Sequence, residues 1–120
     1  MTIIVEDNAI RLERLQLGPF GTNTYIVSCP ARQESVLVDA PAEPEVIIDK
    51  LGSAGLKYIL LTHNHIDHIG ALAELRAELK VPLAAHPADT SNITPPPEIL
   101  LNDGEVIRLG EVELTVLHTP

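Results

Sequence analysis

The most informative segment of this chain is Tyr58-Ile59-Leu60-Leu61-Thr62-His63-Asn64-His65-Ile66-Asp67-His68-Ile69-Gly70. Three of the chain's five histidines and one aspartate fall within six residues of it, in the pattern H-x-H-x-D-H. The apolar residues before this pattern predict a buried strand, and apolar residues at helical spacing follow it. Open α/β sheets place their sites at the carboxyl ends of strands, so the histidine segment is the first candidate for a functional site.

Working outward from this segment, apolar periodicity predicts a mixed α/β (α+β) fold with one βαβ unit. The predicted strands are Ile10 to Leu17, Asn23 to Cys29, Ser35 to Asp39, Lys57 to Leu61 and Val81 to Ala85, followed by a hairpin of Glu105 to Leu109 and Val112 to Leu117. The predicted helices are Pro44 to about Ala54, with Ile47, Ile48 and Leu51 buried and Gly55 as its C-terminal stop, and Ile69 to Leu79. The stretch from His86 to Pro97 is predicted to be a loop.

Composition and charge narrow the class of protein. A chain of 120 residues has room for a single domain, residues 1–120. Its formal net charge of −9, without a basic run, argues against binding to nucleic acid or to an anionic membrane. The single cysteine, Cys29, excludes an internal disulfide and is expected to be a small buried hydrophobe. The N-terminus has no signal-peptide pattern, so a cytoplasmic protein is expected.

The residue types of the histidine segment predict a metal site. His63 and His65 point to the same side of an extended chain, so both imidazoles can reach one metal ion. Asp67 and His68 follow where the chain turns toward the helix and face a second position. Imidazole and carboxylate ligands suit Zn²⁺, and also Fe or Mn. A bound metal lowers the pKa of its water to about 7, which supplies a nucleophile at neutral pH. The alternative is that Asp67 only caps the helix Ile69–Leu79 and the histidines are loop residues.

This pattern resembles the metallo-β-lactamase superfamily, and the resemblance covers essentially the whole chain. The segment Leu17-Gly18-Pro19-Phe20-Gly21-Thr22-Asn23-Thr24-Tyr25-Ile26-Val27 is similar to the N-terminal signature of the glyoxalase II-like hydrolases in that superfamily. Val36-Leu37-Val38-Asp39 looks like the strand that carries the superfamily's first aspartate. The following Ala40-Pro41-Ala42 departs from the Pro-Gly that family members often have there, which affects only a turn.

The resemblance implies the N-terminal half of an αββα sandwich, with the site at one edge of the sheets. It implies that His63 and His65 bind the first metal, and that Asp67, also assigned as catalytic, and His68 bind the second. It further implies that Asp39 orients the histidine segment, since metal-bound imidazoles need their other N–H held. The alternative for Asp39 is an ordinary loop residue at a strand end.

Two further histidines are assigned differently. His86 follows a predicted strand near the site, so we expect it to support the ligands or line the pocket, with a plain loop residue as the alternative. Leu117-His118-Thr119-Pro120 looks like the start of the family's H-T-P-G-H-T segment, whose second histidine is the ligand. His118 is therefore not expected to be a ligand. The remaining ligands and the second sheet are expected from residues beyond Pro120, which would leave the hairpin free for homo-oligomerisation or for pairing with a complementing segment.

Three functions remain open at this point. The first is a hydrolase with two metal ions that cleaves a small-molecule thioester or related acyl substrate. The second keeps the fold but changes the chemistry, as in the single-iron sulfur dioxygenases or the phosphodiesterases of the superfamily. The third is a catalytically incomplete chain that acts only by weak metal binding or by assembly. Iron with oxygen uptake would favour the dioxygenase, and cleavage of RNA would favour a nuclease.

Overall fold

A computed structural model of the protein describes residues 2–5, 11–19, 21–29, 33–51, 55–62, 69–87, 90, 93, 95–109 and 112–117. Nine strands and two helices lie within these ranges. The strands are β1 Thr2–Val5, β2 Arg11–Leu17, β3 Thr22–Cys29, β4 Glu34–Val38, β5 Gly55–Leu61, β6 Leu83–Ala85, β7 Ile99–Leu100, β8 Val106–Leu109 and β9 Val112–Leu117. The helices are α1 Pro44–Leu51 and α2 Leu72–Leu79.

Within the described residues, the strands form a large sheet in the order β2-β3-β4-β5-β6-β7 and a small sheet in the order β1-β9-β8. The pairings β2–β3 and β3–β4 are antiparallel, whereas β4 to β7 run parallel. This confirms the predicted mixed sheet and the βαβ unit formed by β5, α2 and β6. Because β4, β5 and β6 are parallel neighbours, their carboxyl ends meet on one side of the large sheet. This side is called the carboxyl edge below, and the opposite side, where the same strands begin, is called the amino edge.

Both faces of the central part of the large sheet are buried, whereas the outer strand β2 is largely exposed. Along β5, Ile59 and Leu61 point into the core on the helical side, while Leu60 packs on the opposite side. This alternation follows from the two-residue period of a strand, and it confirms the burial on both faces that the continuous apolar run predicted. On β3, Cys29 is fully buried on the side away from the helices, as expected of a small hydrophobe.

The helices cover one face of the large sheet and the small sheet covers the other. Pro44 and Glu45 occupy the first turn of α1, where a fixed φ and a negative charge are favourable. The buried helical residues are Ile47, Leu51, Leu72 and Leu75, with the predicted Ile48 partly buried beside them. Ile107 and Leu114 of the small sheet pack against Val36, Val38 and Leu60 of the large one. The described residues therefore provide a helical layer and two sheets, as expected for a metallo-β-lactamase αββα fold.

The second sheet differs in part from the sequence expectation. The β9 side of the hairpin β8–β9 is covered, because β1 pairs with β9 and Leu114 is fully buried against the large sheet, whereas β8 is the outer strand of the small sheet in the described residues and Val106 is 49% exposed. The second sheet therefore begins within this chain and does not depend wholly on residues beyond it. A short strand that was not predicted, β7, follows the expected loop from His86 to Pro97 and pairs with β6.

Gly55 does not end helix α1 but opens β5. Its amide donates to the carbonyl of Gln33 at 3.0 Å, and a Cβ at this position would lie 2.5 Å from the same oxygen. The glycine is therefore required by a close backbone approach and not by a left-handed helix cap. Helix α1 is described as far as Leu51, and the predicted end near Ala54 lies outside the described residues.

Candidate metal centre

The structure describes the chain on both sides of residues 63–68, the part of the histidine segment that carries the predicted ligands and to which this name refers from here on, but not these six residues themselves. The predicted ligands His63, His65, Asp67 and His68 lie outside the described residues, as does His118, so these assignments stay predictions. In the part of the chain that is described, no group of three or more His, Cys, Asp or Glu side chains could hold a metal ion. What the structure provides is the frame that fixes both ends of the segment.

Topology places Asp39 and His86, the predicted site residues that the structure describes, at the carboxyl edge of the large sheet. Asp39 follows β4, Thr62 follows β5 and His86 follows β6, and these three strands are adjacent and parallel. The predicted ligands at residues 63–68 follow Thr62 in the chain, and Thr62 follows the strand that lies between those of Asp39 and His86. His86 is half-buried there. Its predicted supporting role stays a prediction.

Asp39 is the buried anchor of this edge. Only 3% of its surface is exposed, and its backbone is left-handed with φ of +67°. The backbone N–H of Thr62 donates to its Oδ1 at 2.7 Å, and the Thr62 hydroxyl donates to its Oδ2. The Asp39 amide in turn donates to the carbonyl of Leu60 at 2.8 Å. The carboxylate therefore fixes the residue that immediately precedes the histidine segment.

Ala40, the residue after Asp39, fixes the chain on the other side of the histidine segment. The N–H of Ala71, the residue before α2, donates to the carbonyl of Ala40 at 2.8 Å. Ala71 is the N-cap of α2 and makes no side-chain cap bond. The alternative that Asp67 caps the helix Ile69–Leu79 falls on a residue outside the described ones and stays open. The consecutive residues Asp39 and Ala40 thus hold both ends of the stretch between Thr62 and Ala71.

The N-terminal glycine-rich turn supports this anchor from a third direction. Gly18 has φ of +76°, and its amide donates to the Glu43 carboxylate at 3.0 Å. A Cβ on Gly18 would lie 3.1 Å from the Cβ of Ala42. The turn therefore packs closely on the loop that follows Asp39, which a larger residue with a left-handed backbone would disturb.

Sequence reasoning missed two residues of this frame, Thr24 and Thr62. The Thr24 hydroxyl, fully buried on β3, lies within hydrogen-bond distance of the carbonyls of Val38, at 2.8 Å, and Asp39, at 2.6 Å. The position of Thr24 within the N-terminal signature was the only sequence signal for it. Thr62 directly precedes the first histidine, but its bonds to Asp39 depend on β4 and β5 being neighbours.

The described frame fits a metal centre at this edge. Both carboxylate oxygens of Asp39 accept hydrogen bonds from Thr62, which suits a residue that supports ligands. The adjoining segment supplies three imidazoles and a carboxylate, the donor types that zinc, iron and manganese accept. Nothing in the described geometry conflicts with ligands on residues 63–68.

A second polar cluster lies at the opposite edge, near the amino end of β6. The Glu98 carboxylate accepts a hydrogen bond from the Leu83 amide at 2.8 Å and pairs with Arg76 at 2.9 Å. The bond from Leu83, followed by the Arg76 contacts, lowers the pKa of Glu98 below its ordinary value. The Arg76 guanidinium also donates to the carbonyls of Pro95 and Pro96. An open cavity of about 540 Å³ borders this cluster.

Comparison with known proteins identifies the family. The sequence profile of the metallo-beta-lactamase superfamily matches residues 17–120, so the chain belongs to that superfamily. The chain is 39% identical over 98 residues to a hydroxyacylglutathione hydrolase of Bradyrhizobium sp. (strain BTAi1 / ATCC BAA-1182), covering 80% of this chain and 38% of that protein. It is 31% identical over 122 residues to an uncharacterized protein of Aquifex aeolicus (strain VF5), covering 88% of this chain and 58% of that protein.

Solved structures agree with the fold. The BLEG-1 B3 metallo-beta-lactamase matches with a TM-score of 0.79 and 28% identity over 92% of this chain and 62% of that one. TTHA1623, solved in a di-iron-bound form, matches with a TM-score of 0.57 and 37% identity over 64% of this chain and 39% of that one. The chain spans 38–58% of the length of the two relatives named above. No helix among the described residues is long and apolar enough to cross a membrane.

Proposed function

We propose that the intact protein is a metal-dependent hydrolase that cleaves a thioester or a related acyl bond in a small molecule. The supporting observation is that Asp39 and Ala40 hold both ends of the stretch that contains H-x-H-x-D-H, at the carboxyl ends of parallel strands. Membership of the metallo-β-lactamase superfamily and similarity to a hydroxyacylglutathione hydrolase support the same conclusion.

In this proposal His63 and His65 hold one metal ion, and Asp67 and His68 hold a second. When bound there, the metal would supply a water of lowered pKa and would polarise an acyl oxygen. Zn²⁺ is the proposed ion, with Fe or Mn as alternatives that accept the same ligands. The di-iron form of TTHA1623 supports a site with two metals.

This chain's own residues prepare the site for that chemistry. Asp39 fixes Thr62, and through it the direction in which the chain enters residues 63–68, the ligand segment of this proposal. The Ala40 carbonyl fixes the point at which the segment enters α2. A ligand segment that is held at both ends loses less conformational freedom when it binds metal.

The ligand count requires residues outside this stretch. A catalytic zinc has three protein ligands in addition to water, whereas His63 and His65 provide two. The hydrolase relative is longer than the region that this chain matches. We therefore propose that further ligands come from residues outside these 120. The expected homo-oligomer or complementing segment and the cytoplasmic location stay predictions.

The experiment that tests the proposal uses the full product of the native gene, whose intact mass is measured first. His65→Ala and Asp67→Ala are expected to lower bound metal and thioester hydrolysis together, the latter by several orders of magnitude, because each removes a ligand. Asp49→Ala, on the exposed side of α1, is the matched control and should match the wild type. Metal is measured by elemental analysis, and hydrolysis is measured with S-lactoylglutathione.

Other outcomes would replace the proposal. Wild-type metal content and turnover in His65→Ala would exclude the assigned ligands. Oxygen consumption with iron as the sole bound metal would indicate the dioxygenase, and cleavage of RNA but not of thioesters would indicate a nuclease. A wild-type protein of full native length that neither binds metal nor turns over would support a role in assembly only.

A further inference from the structure

We propose that Thr24 is a positioning residue for the ligand segment and acts through Asp39. Its hydroxyl holds the backbone of Asp39 in the left-handed conformation, which aims the Asp39 carboxylate at Thr62. The consequence for metal binding rests on the proposed function. The positioning of Thr62 does not, and it can be measured separately.

The backbone of Asp39 needs an external constraint. Its φ of +67° lies in a region that is unfavourable for any residue with a side chain, although aspartate tolerates it better than most. A strained backbone of this kind persists only where the surrounding structure fixes it. If Asp39 relaxed to an extended conformation, its carboxylate would leave the Thr62 amide and hydroxyl.

The Thr24 hydroxyl is placed to recognise this bend. It lies 2.8 Å from the carbonyl oxygen of Val38 and 2.6 Å from that of Asp39. Successive carbonyls of an extended strand point in opposite directions, so one hydroxyl reaches both only where the chain turns. The hydroxyl can donate to either oxygen without moving, and it favours the bent conformation over the extended one.

Burial makes the hydroxyl hard to replace. Thr24 is fully buried, and it lies one residue beyond the pair Tyr25 and Val38 in the β3–β4 ladder. Water has no access to the Thr24 side chain, so loss of the hydroxyl leaves these carbonyls without that donor. Thr24 therefore connects the N-terminal signature, which carries no predicted ligand, to the entry point of the ligand segment.

Three substitutions separate positioning from general stability. Thr24→Val removes the hydroxyl and keeps the side-chain shape, and Thr24→Ser keeps the hydroxyl. Ser35→Ala is the control, because Ser35 is also fully buried but its hydroxyl has no hydrogen-bond partner in the described structure. Thr24→Ala provides a second variant without the hydroxyl if the valine variant fails to fold.

The first measurement is amide hydrogen exchange at Thr62, in the full native-length protein with and without metal. Thr24→Val is expected to raise the exchange rate of the Thr62 amide about 10-fold or more relative to the Ile26 and Leu37 amides of the ladder. The second measurement is Zn²⁺ affinity by chelator competition, which is expected to fall about 10–100-fold, as is typical when a supporting partner is lost. Thr24→Ser and Ser35→Ala should stay close to the wild type in both.

Each remaining outcome decides the proposal. Unchanged Thr62 exchange in both hydroxyl-free variants would overturn it. Uniformly faster exchange at all amides, with unchanged Zn²⁺ affinity, would show a purely structural Thr24 and would also overturn it. If the wild-type protein binds no zinc, the proposed function fails, while selective release of the Thr62 amide would still support the positioning role.

Discussion

The two edges of the large sheet carry similar polar chemistry in different surroundings. At the carboxyl edge, the Asp39 carboxylate accepts hydrogen bonds from a backbone amide and a side chain of Thr62. At the amino edge, the Glu98 carboxylate accepts them from the Leu83 amide and the Arg76 guanidinium. Asp39 is 3% exposed, whereas the Glu98 side chain is 52% exposed. Water can replace the hydrogen-bond partners of Glu98 but not those of Asp39. We therefore expect the Asp39 carboxylate to determine the local geometry far more strongly.

The same chemical change at both edges tests this difference, and the largest effect is expected for Asp39→Asn. The asparagine side chain would place an N–H donor opposite a Thr62 donor. Water cannot reach this buried position to satisfy either donor. We expect a loss of about 2–3 kcal/mol in the free energy of unfolding, measured by urea denaturation, together with reduced bound metal. A loss below about 0.5 kcal/mol would show that the buried carboxylate does not anchor the edge.

A smaller effect, dependent on pH, is expected for Glu98→Gln. Because the folded-state pKa of Glu98 lies below its ordinary 4.5, the ionised carboxylate contributes stability above that pH. The contribution is lost as the pH falls through the lowered value. Exposure and screening limit it to less than about 1 kcal/mol. The stability difference between wild type and variant should therefore be present at pH 7 and shrink below about pH 4.5, whereas a constant difference would exclude ionisation as its source.

The smallest effect is expected at a second left-handed residue. Lys80 has φ of +53° at the C-terminus of α2, and its amide donates to the Arg76 carbonyl. Its backbone strain serves only to end the helix, so Lys80→Gly should stabilise the protein by about 0.5 kcal/mol. Asp39→Gly relieves similar strain but removes the anchor, and it should destabilise. Urea midpoints that move in the same direction for both variants would contradict the distinction between the two edges.

Most of the strands and helices could be predicted from apolar periodicity. A strand that is buried on one face alternates apolar and polar residues, and a strand that is buried on both faces is a continuous apolar run. The exceptions depend on partners distant in sequence. β7 has only two residues and exists by pairing with β6, and β1 exists by pairing with β9. Gly55 was misassigned because nothing local shows that its backbone meets Gln33.

In the candidate site as well, local features could be predicted from the sequence, and contacts between distant residues could not. Asp39 could be placed at a strand end from the sequence, since the residue type and the preceding apolar run are local features. Its bonds to Thr62 could not, because they require β4 and β5 to be parallel neighbours in one register. The contact with Thr24 likewise depends on the antiparallel register of β3 and β4.

Strand order has a consequence for how the chain can assemble. In the large sheet every strand lies beside the one that precedes it in the chain, from β2 to β7. A nascent polypeptide leaving the ribosome can therefore add these strands one at a time, each closing a comparatively short loop. The small sheet cannot form in this way, because Thr2 pairs with Leu117. Its completion must wait until nearly all of these residues have been synthesised.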